Sequence, residues 1–163
     1  MPEKNLNGLF VHTLKDVYFA EQTILKTLPK YAEAAQSEAL KEAFETHGKE
    51  TSRQIERLKK VFKLAGAKEE GEPCEAMQGL VAEGEEILEE FEGGGGALDA
   101  GLIAAAQAIE HYEIARYGTL VAWADQLGMD EASTLLKETL AEEESTDELL
   151  SELAEDVINP AAV

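Results

Sequence analysis

The sequence predicts an all-α protein: a four-helix bundle built from two antiparallel hairpins, joined by a long crossover that carries a short extra helix. Three observations predict it. Apolar residues recur at three- and four-residue steps along most of the chain, no segment alternates with period two for long enough to form a strand, and the connections run short, long, short. At 163 residues the chain fits one domain, large enough to bury a real core.

The elements follow in order. Leu6, Phe10, Leu14, Val17, Ile24, Leu25 and Leu28 form the stripe of a first helix. Pro29 interrupts it, but Tyr31, Ala34 and Ala35 continue the stripe, so a kinked helix over about 5–36 is expected rather than a break. Leu40, Phe44, Ile55, Leu58 and Phe62 mark a second helix over about 38–65, with Gly66 as its C-terminal cap. The stretch "AGAKEEGEP" reads as a loop. Met77, Leu80, Val81, Ile87 and Leu88 then make a short helix over about 75–91, and the four glycines at 93–96 form a flexible joint. Two more long helices are expected over about 97–127, stopped by Gly128, and about 130–157, stopped by Asn159-Pro160. Tight turns near Ser37 and Gly128 make antiparallel neighbours, and the long middle connection can span the bundle. That is the connectivity of ferritin-like folds.

Composition narrows the function. A formal net charge of −20 repels nucleic acid and anionic membrane surfaces and suits a protein that handles cations. The single cysteine, Cys74, cannot form an intrachain disulfide and makes no metal motif. No apolar run approaches the length of a membrane span and no leader-like segment opens the chain, so a cytoplasmic protein is expected.

The informative residues are ionisable ones on apolar stripes. Glu21 is flanked by Leu14, Val17, Ile24, Leu25 and Leu28; His47 and Glu50 share a face with Ala43, Gln54 and Leu58. Glu110 and Glu113 follow Ala106 and Ile109, and Glu143 and Asp147 continue the line of Leu136, Leu140 and Leu150, with Glu144 a rival in the last pair. At 1.5 Å rise per residue, Glu21 and Glu50 stand about 24 and 20 Å from their turn, and Glu113 and Glu143 about 22 Å from theirs. Each hairpin therefore sets two carboxylates side by side near mid-bundle. Burying so many like charges is costly unless cations neutralise them, and divalent metals do this while accepting the oxygens as ligands. Plainer readings remain at each site. Glu21 could pair with Arg53, Glu113 with Arg116, and Glu110 or Asp147 could support ligands rather than bind. Tyr18 and Tyr117 stand one turn from Glu21 and Glu113, placed either to hydrogen-bond them or simply to pack.

The stretches "LKDVYFAEQTILKTLPKYAEAA", "AFETHGKETSRQIERLKKVF", "AIEHYEIARYGTLVAWADQLG" and "LLKETLAEEESTDELLSELA" span nearly the whole chain. Together they resemble the YciF-like bacterial stress protein family of the ferritin-like superfamily. The resemblance implies a dinuclear centre of two iron ions, with manganese the alternative, and chemistry with O2 or peroxide like that of rubrerythrin or a ferroxidase. In that superfamily each hairpin supplies a glutamate from one helix and a Glu-x-x-His pair from the other. Carried over by position, Glu21, Glu50, Glu113 and Glu143 are the implied core ligands, with Glu113, and either Glu50 or Glu143 as a second candidate, bridging. This chain departs from the pattern: it reads His47-x-x-Glu50, has no histidine in the last helix, where Asp147 is the available replacement, and adds Glu110. The competing expectation is a non-catalytic helical-bundle dimer of the stress response in which metal is structural or absent. A homodimer packed through the first two helices, using residues such as Tyr31 or Phe62, completes the expectations.

Overall fold

The computed structural model describes residues 4–163. Its elements are α1 (Leu6–Ala34), α2 (Glu38–Leu64), α3 (Glu75–Glu90), α4 (Gly96–Gln126) and α5 (Asp130–Leu153), then a π-helical turn (Ala154–Ile158) and a last turn α6 (Asn159–Ala161). There is no strand among the described residues. Around the bundle α1 packs on α2, α2 on α5, α5 on α4, and α4 back on α1, while α3 lies outside against α4 and α1.

Local chemistry sets the ends. The Asn5 side chain accepts from Gly8 N at 2.9 Å and starts α1, and α1 runs through Pro29 without a break. Both hairpin-end glycines do the same work. Gly66 (φ 62°) lets Ala67 N–H reach Phe62 O at 3.0 Å, and Gly128 (φ 69°) lets Met129 N–H reach Ala124 O at 2.9 Å. These are paired Schellman caps, which need a left-handed residue after the helix. One expectation fails at the C-terminus: Asn159-Pro160 does not stop the helical path. The chain widens into a π-turn, with Asn159 N–H bonded to Ala154 O, and Pro160 sits at the start of α6, where a missing N–H matters least.

Asp99 in the first turn of α4 locks the two hairpins in register. It is buried, and its two oxygens accept from the backbone amides of Gln36 and Ser37 at the α1–α2 turn, each at 2.8 Å. The crossover is tied to α1 by Lys15–Glu72 at 2.8 Å and by the Tyr18 hydroxyl donating to Glu69 at 2.9 Å.

The interior divides into two apolar layers. One lies toward the α1–α2 turn and holds Ile24, Leu28, Tyr31, Phe44, Leu102, Ile103 and Leu150. The other lies toward the α4–α5 turn and holds Phe10, Leu14, Val17, Leu58, Phe62, Tyr117, Leu120 and Leu136. Apart from Asp99 at the α1–α2 end, the buried ionisable residues of the long helices fall between the two. Tyr31 and Phe62 are each 1% exposed, so they serve this core and cannot form the dimer contact expected of them.

Candidate metal centre

Each long helix turns one face inward at mid-bundle. Val17 and Ile24 bracket Glu21 on α1; Phe44 and Ile55 bracket His47 on α2. Ile109 and Tyr117 bracket Glu110 and Glu113 on α4, and Leu136 and Leu150 bracket Glu143 on α5. The ionisable residues between these packed flanks share their burial. Glu21, Glu113 and Glu143 are 0% exposed, and His47 and Glu110 are buried too.

His47, Glu110, Glu113 and Glu143 each offer a ligand atom, and these atoms lie within 4.8 Å of one another. His47 Nε2 stands 3.0 Å from Glu110 Oε1, the distance of a hydrogen bond without its alignment. Glu21 joins the group from α1, where the Tyr117 hydroxyl donates to its Oε1. Gln54 Nε2 donates to Glu143 Oε1. Burial pushes the Glu21 carboxyl up to about 8 and Glu110 up to about 7, with neighbouring carboxylates adding to it. Glu113 and Glu143 are raised well above the ordinary range, first by burial and then by the other acids facing them. The Tyr117 phenol is raised for the same reasons.

The donor atoms fit a cation. Nine buried side-chain polar atoms among the described residues lack a hydrogen-bond partner, and all but Tyr31 Oη belong to Glu21, His47, Gln54, Glu110, Glu113 and Glu143. Native interiors satisfy nearly all such groups, so this concentration in one place marks a cradle for something the protein atoms do not supply. Carboxylate oxygens and one imidazole are a donor set suited to iron or manganese.

Glu50 and Asp147 lie outside this group. The Glu50 side chain is 24% exposed and 3.7 Å from Arg53, which leaves Arg53 unavailable to Glu21. Asp147 is 21% exposed; it accepts from Gln107 Nε2 at 3.1 Å and meets His111 Nε2 at 3.1 Å. Both still act on Glu110, raising its proton affinity from nearby. Glu144 is exposed. Of the two tyrosines, Tyr117 reaches the cluster and Tyr18 turns to the crossover. Arg116 stacks 5.2 Å over the Tyr112 ring instead of pairing with Glu113. Cys74 is buried, its sulfur 3.0 Å from Tyr112 Oη.

Two contributors were not singled out from the sequence. Gln54 is 0% exposed and bonds both Glu143 and, at 3.1 Å, Glu142. Its signal was its position seven residues after His47, on the same stripe. Arg57 clamps α2 to α5 through Glu142 at 2.7 Å and Glu138 at 2.6 Å, an arrangement that holds its guanidinium charged and Glu142 below the usual carboxylate range.

Comparison with known proteins agrees with this architecture over its full length. The YciF protein of Escherichia coli (strain K12) is 45% identical over 163 residues, covering 99% of this chain and 98% of that protein. The crystal structure of the E. coli stress protein YciF superimposes with a TM-score of 0.91, covering 96% of this chain and 99% of that one. YcfI of Rhodopseudomonas palustris, described as a candidate structural protein, is 44% identical with a TM-score of 0.86 over 91% of this chain and 94% of its own. A Xanthomonas campestris protein at 20% identity and a TM-score of 0.75, covering 96% of each chain, shares the fold. Residues 5–163 match the family model described as a domain of unknown function, DUF892, and the chain belongs to that family.

Proposed function

We propose that this chain is a dinuclear-metal protein, of iron or manganese, that consumes O2 or peroxide in stress protection, as the name of the E. coli relative suggests for its own setting. The observation that carries the reading is the set of eight unpartnered donor atoms converging from all four long helices. Buried acids with no cation can relieve their repulsion only by holding protons, which is what the raised affinities of Glu21, Glu110, Glu113 and Glu143 express.

Bound iron would supply the electrons for oxygen or peroxide reduction. The protein's own part is positional. His47, Glu110, Glu113 and Glu143 would hold the ions, with Glu21 closing the α1 side, and each would release its proton as a cation enters. Tyr117 fixes one Glu21 oxygen and leaves Oε2 free, and Gln54 does the same for Glu143. The two apolar layers exclude bulk water from both ends, and a dry site strengthens every charge interaction in it.

The competing reading is a structural metal. It is favoured by the description given to the R. palustris relative, a candidate structural protein. Fe(II) oxidation by hydrogen peroxide separates the two. The wild-type chain is expected to accelerate it over free Fe(II), and Glu113→Ala to lose that acceleration while circular dichroism shows the helices intact. Equal rates in the wild type and Glu113→Ala would leave the structural reading standing.

A further inference from the structure

The buried donors need an entrance, and the four seams of the bundle differ in what they offer a hydrated cation. The α1–α4 seam is covered by α3. The α1–α2 seam carries a groove of about 590 Å³ with an apolar lining that includes Leu25, Leu28 and Phe44, where Lys41 and Lys49 offset the charge of Glu33 and Glu45 and so do not favour a cation. The α4–α5 seam is bridged by Gln107, which donates to Asp147 Oδ1 at 3.1 Å and to Ser151 Oγ at 2.8 Å. The α2–α5 seam holds an open groove of about 320 Å³ whose lining includes Glu50, Glu142, Glu148 and Glu152.

Two residues link that groove to the core. Glu50 lines it and follows buried His47 by three residues, less than one turn along α2. Gln54, fully buried with its Oε1 unpartnered, hydrogen-bonds the groove residue Glu142 on one side and the core residue Glu143 on the other. Arg57 already neutralises Glu142 at 2.7 Å, so the acids left to carry an ion in the groove are Glu148, Glu152 and Glu50. We infer that the α2–α5 groove is the entrance for divalent cations, a transit site in which Glu148 and Glu152 gather the ion, Glu50 takes it at the border, and Gln54 is the latch it passes. This rests on the metal reading above. The charge of the two seam helices supports this: α5 holds 9 Asp and Glu against 1 Lys, whereas α2 holds 5 Glu against 7 Lys and Arg. A cation is therefore drawn toward the α5 side of the seam.

The test is the rate of Co(II) uptake by the metal-free full-length chain, followed by stopped-flow visible absorbance at low ionic strength. The groove variant Glu148→Lys/Glu152→Lys reverses two exposed charges at the mouth. Glu86→Lys/Glu90→Lys makes the same change on exposed positions of α3, across the bundle. The expected result is uptake slowed about tenfold or more by the groove variant and less than about twofold by the α3 variant, with the same final Co(II) content, because charge steering acts locally at a mouth. Glu50→Gln, close in shape, is expected to slow uptake likewise. Equal slowing by the two double variants, or a wild-type rate in Glu50→Gln, overturns the inference. A Glu50→Gln chain that loads at the wild-type rate but holds less Co(II) would make Glu50 a resident ligand instead. No uptake by the wild-type chain removes this inference and the metal reading together, whereas uptake indifferent to the groove removes this inference alone.

Discussion

The apolar layers and the acidic belt between them are built from the same helices with the same period, yet they are stabilised in opposite ways. In the layers, Leu28 and Leu102 at one end and Leu14, Leu58 and Leu120 at the other fill space within their own clusters and gain by leaving water. In the belt, Glu21, His47, Glu110, Glu113 and Glu143 are as deeply buried but leave most of their polar atoms unpartnered. A layer is complete when the chain folds. On the proposed reading, the belt is complete only when a cation binds. One bundle can thus hold a part that stabilises the fold beside a part that costs it stability, with the surplus of the first tolerating the deficit of the second.

The contrast can be broken most forcefully in a layer. Leu102→Ala, at a fully buried position, is expected to lose about 2–5 kcal/mol in urea unfolding, equally with and without metal. A loss that depended on metal would mean the two parts are not separable. Smaller in size is the effect of adding Mn(II) or anaerobic Fe(II). At a hundred times the dissociation constant it should stabilise the wild-type chain by about 2.7 kcal/mol and raise the thermal midpoint, and Glu113→Gln should be largely indifferent to it.

The pH dependence sharpens the comparison further. The belt acids are raised in the folded state, Glu21 to about 8 and Glu110 to about 7, from an unfolded value near 4.5. The folded chain therefore binds more protons than the unfolded chain between about pH 5 and 8, and metal-free stability must fall as pH rises through that window, by about 1.4 kcal/mol per pH unit for each proton involved. Loading with metal should remove this slope and release protons, measurable in weakly buffered calorimetry. A metal-free chain whose stability rises from pH 5 to 8 would contradict the burial of these acids. The smallest effect is expected from Tyr117→Phe. It takes one donor from Glu21 at an otherwise apolar position and should change stability by about 1 kcal/mol, more at pH 8 than at pH 5, where the carboxyl is already protonated.

Much of this was legible in the sequence because helical periodicity reports burial directly. The stripes of Leu6–Leu28 and Leu40–Phe62 correspond to α1 and α2, and Gly66 and Gly128 mark the two Schellman ends. The level of the acidic belt followed from rise per residue alone. What rise could not supply is rotation. Glu50 stands at the right height but three residues after His47, which turns it about 60° toward the α2–α5 groove, whereas Gln54 at seven residues returns to the buried face. Asp147 is likewise turned from Glu143 toward the α4 edge, where it meets His111 and Gln107. The end of the last helix was misjudged because a π-turn accommodates Pro160, and no period in the sequence announces a π-turn. Tyr31 and Phe62 looked available for a partner because their stripes seemed wide; in the fold both are core.

The central claim is that the acidic belt exists to hold metal, and counting ions tests it most directly. The chain should be purified without chelators, saturated with anaerobic Fe(II), freed of loose ions and analysed for metal per chain beside Glu113→Gln. The account predicts two ions per wild-type chain and at least one fewer in the variant. Less than one ion per wild-type chain, or an equal number in both, would contradict it.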